Sequence, residues 1–176
     1  MGNISVENII AETKIAEGLN VEEVAKNLPD VRYDPSNYPG IAMGVASNNI
    51  AYIILESGKI LCAGGKNMRE IRRCIGEVVR TLKQKGFNVK KGDKPKITSF
   101  TVSTDINSEI DLYKLNEEMD NIRYNPDELP AAVYSEDDKF VALIFRSGKI
   151  VCTGPGDRKM MENFIKEIVK KIKEVE

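Results

Sequence analysis

Leu55-Glu56-Ser57-Gly58-Lys59-Ile60-Leu61-Cys62-Ala63-Gly64 returns ninety residues later as Phe145-Arg146-Ser147-Gly148-Lys149-Ile150-Val151-Cys152-Thr153-Gly154. Each segment reads as strand, tight turn, strand, with Ser-Gly as the turn signal. Working outward, Tyr33-Asp34-Pro35 returns as Tyr124-Asn125-Pro126, at an offset of 91 rather than 90. The slip implies a one-residue deletion in the second copy. A period of this length is too long for solenoid units, whose repeats run about 20–50 residues. It predicts an internally duplicated domain with a pseudo-two-fold axis, the copies falling at residues 1–90 and 91–176. A surface made of two similar halves suits a pseudosymmetric partner such as a DNA duplex.

Each copy predicts the same elements. A strand opens it, at residues 4–13 and 96–104. A short helix follows at 21–27 and 112–119, with Asn20 and Asp111 placed to cap the free backbone N–H groups. Short strands come next, at 31–33, 41–45, 50–55 and 59–63, then at 122–124, 131–134, 140–145 and 149–153. Ser47-Asn48-Asn49 and Glu136-Asp137-Asp138 mark one hairpin turn, and Ser57-Gly58 and Ser147-Gly148 predict two-residue turns in the next. A long helix closes each copy: Met68, Ile71, Ile75, Val78, Val79 and Leu82 fall at helical spacing, as do Met161, Phe164, Ile165, Ile168 and Ile172. Residues 86–95 read as a surface linker.

Ten strands joined by hairpins or helices give an antiparallel sheet in an α+β fold. The four amphipathic helices need one sheet face to cover. Yet Ile50-Ala51-Tyr52-Ile53-Ile54-Leu55 and Ala142-Leu143-Ile144-Phe145 are apolar on both strand faces. The face left over is a candidate binding surface.

Composition narrows the function classes. Histidine is absent, which removes Ser-His and Cys-His nucleophile pairs and the commonest zinc ligand. Cys62, Cys74 and Cys152 show no CxxC spacing and read as buried thiols. Gly65-Lys66 is not a phosphate-binding loop: Ile60 stands where that motif has glycine, and Asn67 where it has Ser or Thr. No carboxylate pair forms a catalytic constellation, so the chain reads as a non-enzyme without cofactor or metal. Its start lacks the layout of a secretion signal, and no apolar run approaches the roughly 20 residues of a membrane span. The net charge of −1 means that nucleic-acid binding must use a local patch or an unusually apolar surface.

The layout carries three phrases: Tyr33-x-Pro35-x-x-Tyr38-Pro39-Gly40, Leu143-Ile144-Phe145-x-Ser147-Gly148-Lys149 and Val151-Cys152-Thr153-Gly154. With them the chain resembles the core of the TATA-box-binding protein family, in its archaeal form, over residues 3–175. The resemblance implies a saddle. A ten-stranded antiparallel sheet would form the concave underside on a widened DNA minor groove, with four helices on the convex back. Apolar wedges would enter between base steps and kink the duplex, a mode of binding for which this family is itself the standing example. A donor-poor, apolar surface suits A·T pairs, which show only acceptors in that groove.

The resemblance assigns the wedges to Tyr38, Leu55, Leu129 and Phe145, where the family usually has four phenylalanines. Its central asparagine pair becomes Asn8 and Ser99, and the groove-facing residues two positions on are Ile10 and Thr101. Further groove contacts fall on Ile53, Leu61 and Ala63 in the first repeat and on Leu143, Val151 and Thr153 in the second. Backbone contacts fall on Lys59, Lys66 and Lys149. The second counterpart of Lys66 is Gly156, and the family's arginine after Pro-Gly is Gly44 in one repeat and Ser135 in the other. Each lost phosphate contact predicts weaker binding with a flatter salt dependence. The implied function is a transcription initiation factor, acting in the cytoplasm on AT-rich promoter DNA and recruiting a transcription factor B-type protein through Asn125, Asp127 and Glu128. RNA polymerase would follow indirectly. The alternative is a divergent paralogue with weakened DNA binding, acting as a regulatory protein-interaction module and able to form a homodimer through the concave face. The basic run Arg69, Arg72, Arg73, Arg80, Lys83 and Lys85 reads as a solvated helix face.

Overall fold

The computed structural model describes residues 2–36, 40–45, 49–137 and 139–176. In chain order these form β1 (Ser5–Lys14), α1 (Val21–Asn27), β2 (Val31–Tyr33), β3 (Gly40–Val45), β4 (Ile50–Leu55), β5 (Lys59–Gly65) and α2 (Met68–Gln84). The series then repeats as β6 (Lys96–Asp105), α3 (Leu112–Glu118), β7 (Ile122–Arg123), β8 (Ala131–Glu136), β9 (Phe140–Phe145), β10 (Lys149–Gly154) and α4 (Arg158–Val175). The strands form one ten-stranded antiparallel sheet of order β2-β3-β4-β5-β1-β6-β10-β9-β8-β7. This is the expected sheet, with the expected four helices among the described residues. Packing divides the chain into two compact units. One is Asn8–Thr98; the other joins Met1–Glu7 to Ser99–Glu176. They are called here the first and second unit.

Local chemistry sets the helix ends. Asn20 Oδ1 accepts from the Glu23 N–H at 3.1 Å, and Asp111 Oδ1 accepts from the Tyr113 and Lys114 N–H groups. Asn67 and Asp157 cap α2 and α4 in the same way. Each cap satisfies donors the helix cannot, for about 1 kcal/mol. Helix α2 ends at Gly86, in a left-handed conformation at φ +87. There the Phe87 N–H bonds Leu82 O and the Gly86 N–H bonds Lys83 O, the paired bonds of a Schellman stop.

The core of the first unit lies between α2 and the sheet. Ile71, Cys74, Ile75, Val78, Val79 and Leu82 of α2 are buried, facing Ile54, Ile60 and Cys62. In the second unit Met161, Phe164, Ile165, Ile168, Val169 and Ile172 of α4 are buried, as are Ile144, Ile150 and Cys152 of the sheet. All three cysteines are buried and free. Burial pushes the Cys152 thiol up to about 12, so it stays protonated.

The hairpin between β4 and β5 differs from expectation. The Gly58 N–H bonds Leu55 O at 2.9 Å, and Gly58 itself sits at φ +79. The loop therefore has three residues, Glu56, Ser57 and Gly58, rather than two. Gly148 does the same at φ +93, bonding Phe145 O at 3.0 Å. A left-handed third residue restores the twist that an ordinary turn would splay. Gly40 opens β3 opposite Leu55. The slip between repeats falls in the next hairpin, where residues 46–49 join β3 to β4 and residues 137–139 join β8 to β9. Ser47, Asn48 and Asp138 of the turns expected there lie outside the described residues.

Candidate nucleic-acid interface

Strand periodicity sorts the side chains of each unit into two faces. Along β4 and β5, Tyr52, Ile54, Ile60 and Cys62 are buried toward α2, while Ile53, Leu55, Leu61 and Ala63 are half-buried on the opposite, open face. Along β9 and β10, Ala142, Ile144, Ile150 and Cys152 are buried, and Leu143, Phe145, Val151 and Thr153 are half-buried. Cross-strand register aligns these open residues in rows. Leu61 faces Ile53, which faces Ala42; Val151 faces Leu143, which faces Val133. Of the apolar site residues expected from sequence, Ile53, Leu55, Leu61 and Ala63, and Leu143, Phe145 and Val151, thus share the open face of their unit.

The central polar residues differ between units. Asn8 Oδ1 accepts from the Gly64 N–H at 2.6 Å. That bond orients the amide and leaves its NH2 to donate outward. It also supports an irregularity: Ile9 pairs with Gly65 and Ala11 with Cys62, so Ile10 alone stands opposite Ala63 and Gly64. Gly64 has φ +100, and a Cβ there would lie 2.2 Å from Asn49 O. Only glycine fits this bulge. In the second unit Gly154 pairs regularly with Phe100 and Thr153 with Thr101. Thr153 Oγ1 lies 3.0 Å from Thr101 Oγ1 and 3.4 Å from Ser99 Oγ. Three hydroxyls stand where the first unit has Asn8, Ile10 and Ala63.

Of the expected wedges, Leu55 ends β4, and Gly40 leaves room for it: a Cβ on Gly40 would lie 2.9 Å from Leu55 Cδ2. Phe145 ends β9 opposite Ala131, and Leu129 is 37% exposed two residues before Ala131. Leu129 and Phe145 therefore belong to the same end of the sheet. Tyr38 lies outside the described residues. Among the expected phosphate contacts, Lys59 is exposed but turned to Glu12, Nζ to Oε1 at 3.0 Å. Lys149 is exposed and makes no ion pair among the described residues. Lys66 is exposed just ahead of α2, its backbone N–H bonded to Glu70 Oε2 at 2.9 Å. Asn125, Asp127 and Glu128 are exposed in the turn between β7 and β8. Asn125 organises that turn: its carbonyl accepts from Glu128 and Leu129, and its Oδ1 accepts from the Asp127 N–H at 3.2 Å.

One open-face residue is absent from the sequence-based set. Glu12 stands opposite Leu61, on the same face as Ile53. Period-two counting from Asn8 through Ile10 to Glu12 carries the signal for it. Glu7, adjacent to Asn8, belongs to the other side of β1; its Oε1 accepts from Ser103 Oγ at 2.6 Å.

Comparison with known proteins agrees with this architecture in both halves. The sequence profile of the family "Transcription factor TFIID (or TATA-binding protein, TBP)" matches residues 3–85 and again residues 94–175. The chain belongs to the TATA-binding protein family. The TATA-box-binding protein of Methanocaldococcus jannaschii is 33% identical over 174 residues, covering 98% of this chain and 95% of that one. That of Archaeoglobus fulgidus is 31% identical over 172 residues, covering 94% of each. The solved structure titled Methanococcus jannaschii TBP superposes with a TM-score of 0.90 over 98% of this chain and 99% of its own. Among the described residues, no helix is long and apolar enough to cross a membrane, and no group of three His, Cys, Asp or Glu side chains is placed to hold a metal ion.

Proposed function

We propose that this chain is a transcription initiation factor that binds AT-rich duplex DNA in the minor groove through the open faces of its two units and bends it. One observation carries the reading. In a member of the TATA-binding protein family, each unit keeps an open sheet face of half-buried apolar side chains, with its buried alternate face turned toward a helix. Such a face matches a groove whose A·T edges show acceptors and no amino group. Phe145, Leu55 and Leu129 are the wedges in the described residues, and Tyr38 completes the set. Unstacking costs a few kcal/mol per step, and burial of apolar protein surface offsets it. Asn8, Ser99, Thr101 and Thr153 supply hydrogen-bonding groups near the centre of each face. Lys149 and Lys66 reach the backbone, while Lys59 stays paired with Glu12. The exposed Asn125–Glu128 turn docks a transcription factor B-type protein, through which RNA polymerase is recruited. Residues 1–90 and 91–176 are the two copies of the ancestral repeat.

The test is energy transfer between dyes at the two ends of an AT-rich duplex, with and without a transcription factor B-type protein. A rise in transfer on adding the chain, strengthened by the partner, supports the reading. Binding without any change in transfer refutes bending. No binding by the folded protein, together with dimerisation through the open faces, establishes the protein-interaction module instead.

A further inference from the structure

The apolar row across the first unit runs Ala42, Ile53, Leu61 and then Glu12. In the second unit the row runs Val133, Leu143, Val151 and then Ser103. The first unit's row thus ends in a carboxylate and the second unit's in a hydroxyl. Glu12 is held rather than loose: its side chain is 26% exposed, and Oε1 is fixed by Lys59. Its Oε2 accepts no hydrogen bond among the described residues. A surface that lies on DNA dehydrates this oxygen, and a carboxylate without a donor is costly to bury. A·T pairs answer it only with adenine N3 and thymine O2, which are acceptors and repel it. The single donor in the minor groove is the 2-amino group of guanine.

We infer that Glu12 is a specificity-determining residue that accepts from a guanine 2-amino group, so that the preferred site is AT-rich but interrupted by a G·C pair at the position this carboxylate meets. The inference rests on minor-groove binding as proposed above. It reverses, at that position only, the exclusion of guanine that a purely apolar face imposes. Lys59 supports it by holding Glu12 in place, Nζ to Oε1 at 3.0 Å.

The experiment moves one G·C pair stepwise along an AT-rich duplex and compares each duplex with its inosine·cytosine twin, which lacks only the 2-amino group. The expected result is one position where G·C binds more tightly than inosine·cytosine by about fivefold or more. Glu12→Gln should abolish that preference. The variant should bind the uninterrupted A·T duplex more tightly than the wild type does, because an amide can donate to N3 and O2. Misfolding cannot imitate a gain in affinity. If duplexes are bound but inosine·cytosine equals or beats G·C at every position, this inference is overturned and minor-groove binding stands. If no duplex is bound, both fall.

Discussion

Gly64 and Gly154 occupy the same place in the two repeats, yet only Gly64 takes a left-handed conformation. The next residue accounts for the difference. Gly65 lets β5 run on to pair with Ile9, and the extra length is absorbed as a bulge opposite Ile10. Pro155 has no N–H to donate, so β10 stops at Gly154 and its register stays regular. The bulge frees the Gly64 N–H for Asn8, leaving the first unit with an oriented amide beside apolar Ile10 and Ala63. The second unit, without a bulge, gathers Ser99, Thr101 and Thr153. The proposed wedges differ too: among the described residues the first unit offers Leu55, while the second offers Phe145 and Leu129. Duplication has kept the cores alike and let the open faces diverge. The second unit should therefore grip DNA more strongly than the first.

This contrast can be broken at several depths. The cores should respond equally. Ile60 and Ile150 are each fully buried at matching places, so Ile60→Ala and Ile150→Ala should each cost about 2–5 kcal/mol in urea unfolding. A large inequality would show that the shared core is not shared in energy. The glycines should respond unequally. Gly64→Ala forces a side chain into a left-handed backbone and against Asn49 O, for about 3 kcal/mol or more. The nearest atoms to a Cβ in Gly154→Ala belong to the Phe140 ring, at 2.4 Å, a side chain rather than backbone and on an ordinary backbone conformation, so the loss should be smaller, about 1–2 kcal/mol. Thermal melting of both variants decides it.

On DNA, Phe145→Ala should weaken binding by about 2 kcal/mol, roughly thirtyfold, and Leu55→Ala by about 1 kcal/mol, since the aromatic ring buries more surface. Equal losses in a titration would remove the claim that the second unit dominates. The smallest contrast is polar. Asn8→Ala strips the Gly64 N–H of its partner and should cost about 1 kcal/mol of stability. Ser99→Ala loses only a 3.4 Å contact to Thr153 and should be nearly silent in the same unfolding experiment.

Much of this was legible in the residues. Asn20 and Asp111 announce their helices because a short side-chain oxygen before an apolar-periodic run has a free N–H to satisfy. The repeat phrases place Leu55, Lys59 and Leu61 beside Phe145, Lys149 and Val151 because identical strand-turn-strand units fold alike. The bulge was not legible, since Gly64 and Gly154 align without a gap and the decision lies in whether the following residue can donate. Gly58 and Gly148 were read as ordinary turn positions because a dipeptide signal does not tell a two-residue loop from three. Glu12 was overlooked because a lone charge near a strand end reads as a solvated tip. Only the pairing with Leu61 shows it on the open face.

The most direct measurement is a fluorescence-anisotropy titration of the wild-type protein on AT-rich and GC-rich duplexes of equal length, at low and high salt. The account predicts tighter binding to the AT-rich duplex. It also predicts a weak salt dependence, because few lysines reach the backbone and apolar burial supplies most of the affinity. Equal affinity for both duplexes, vanishing steeply with salt, would mean that the protein binds DNA only as a charged surface, and would contradict the role assigned here to the open sheet faces.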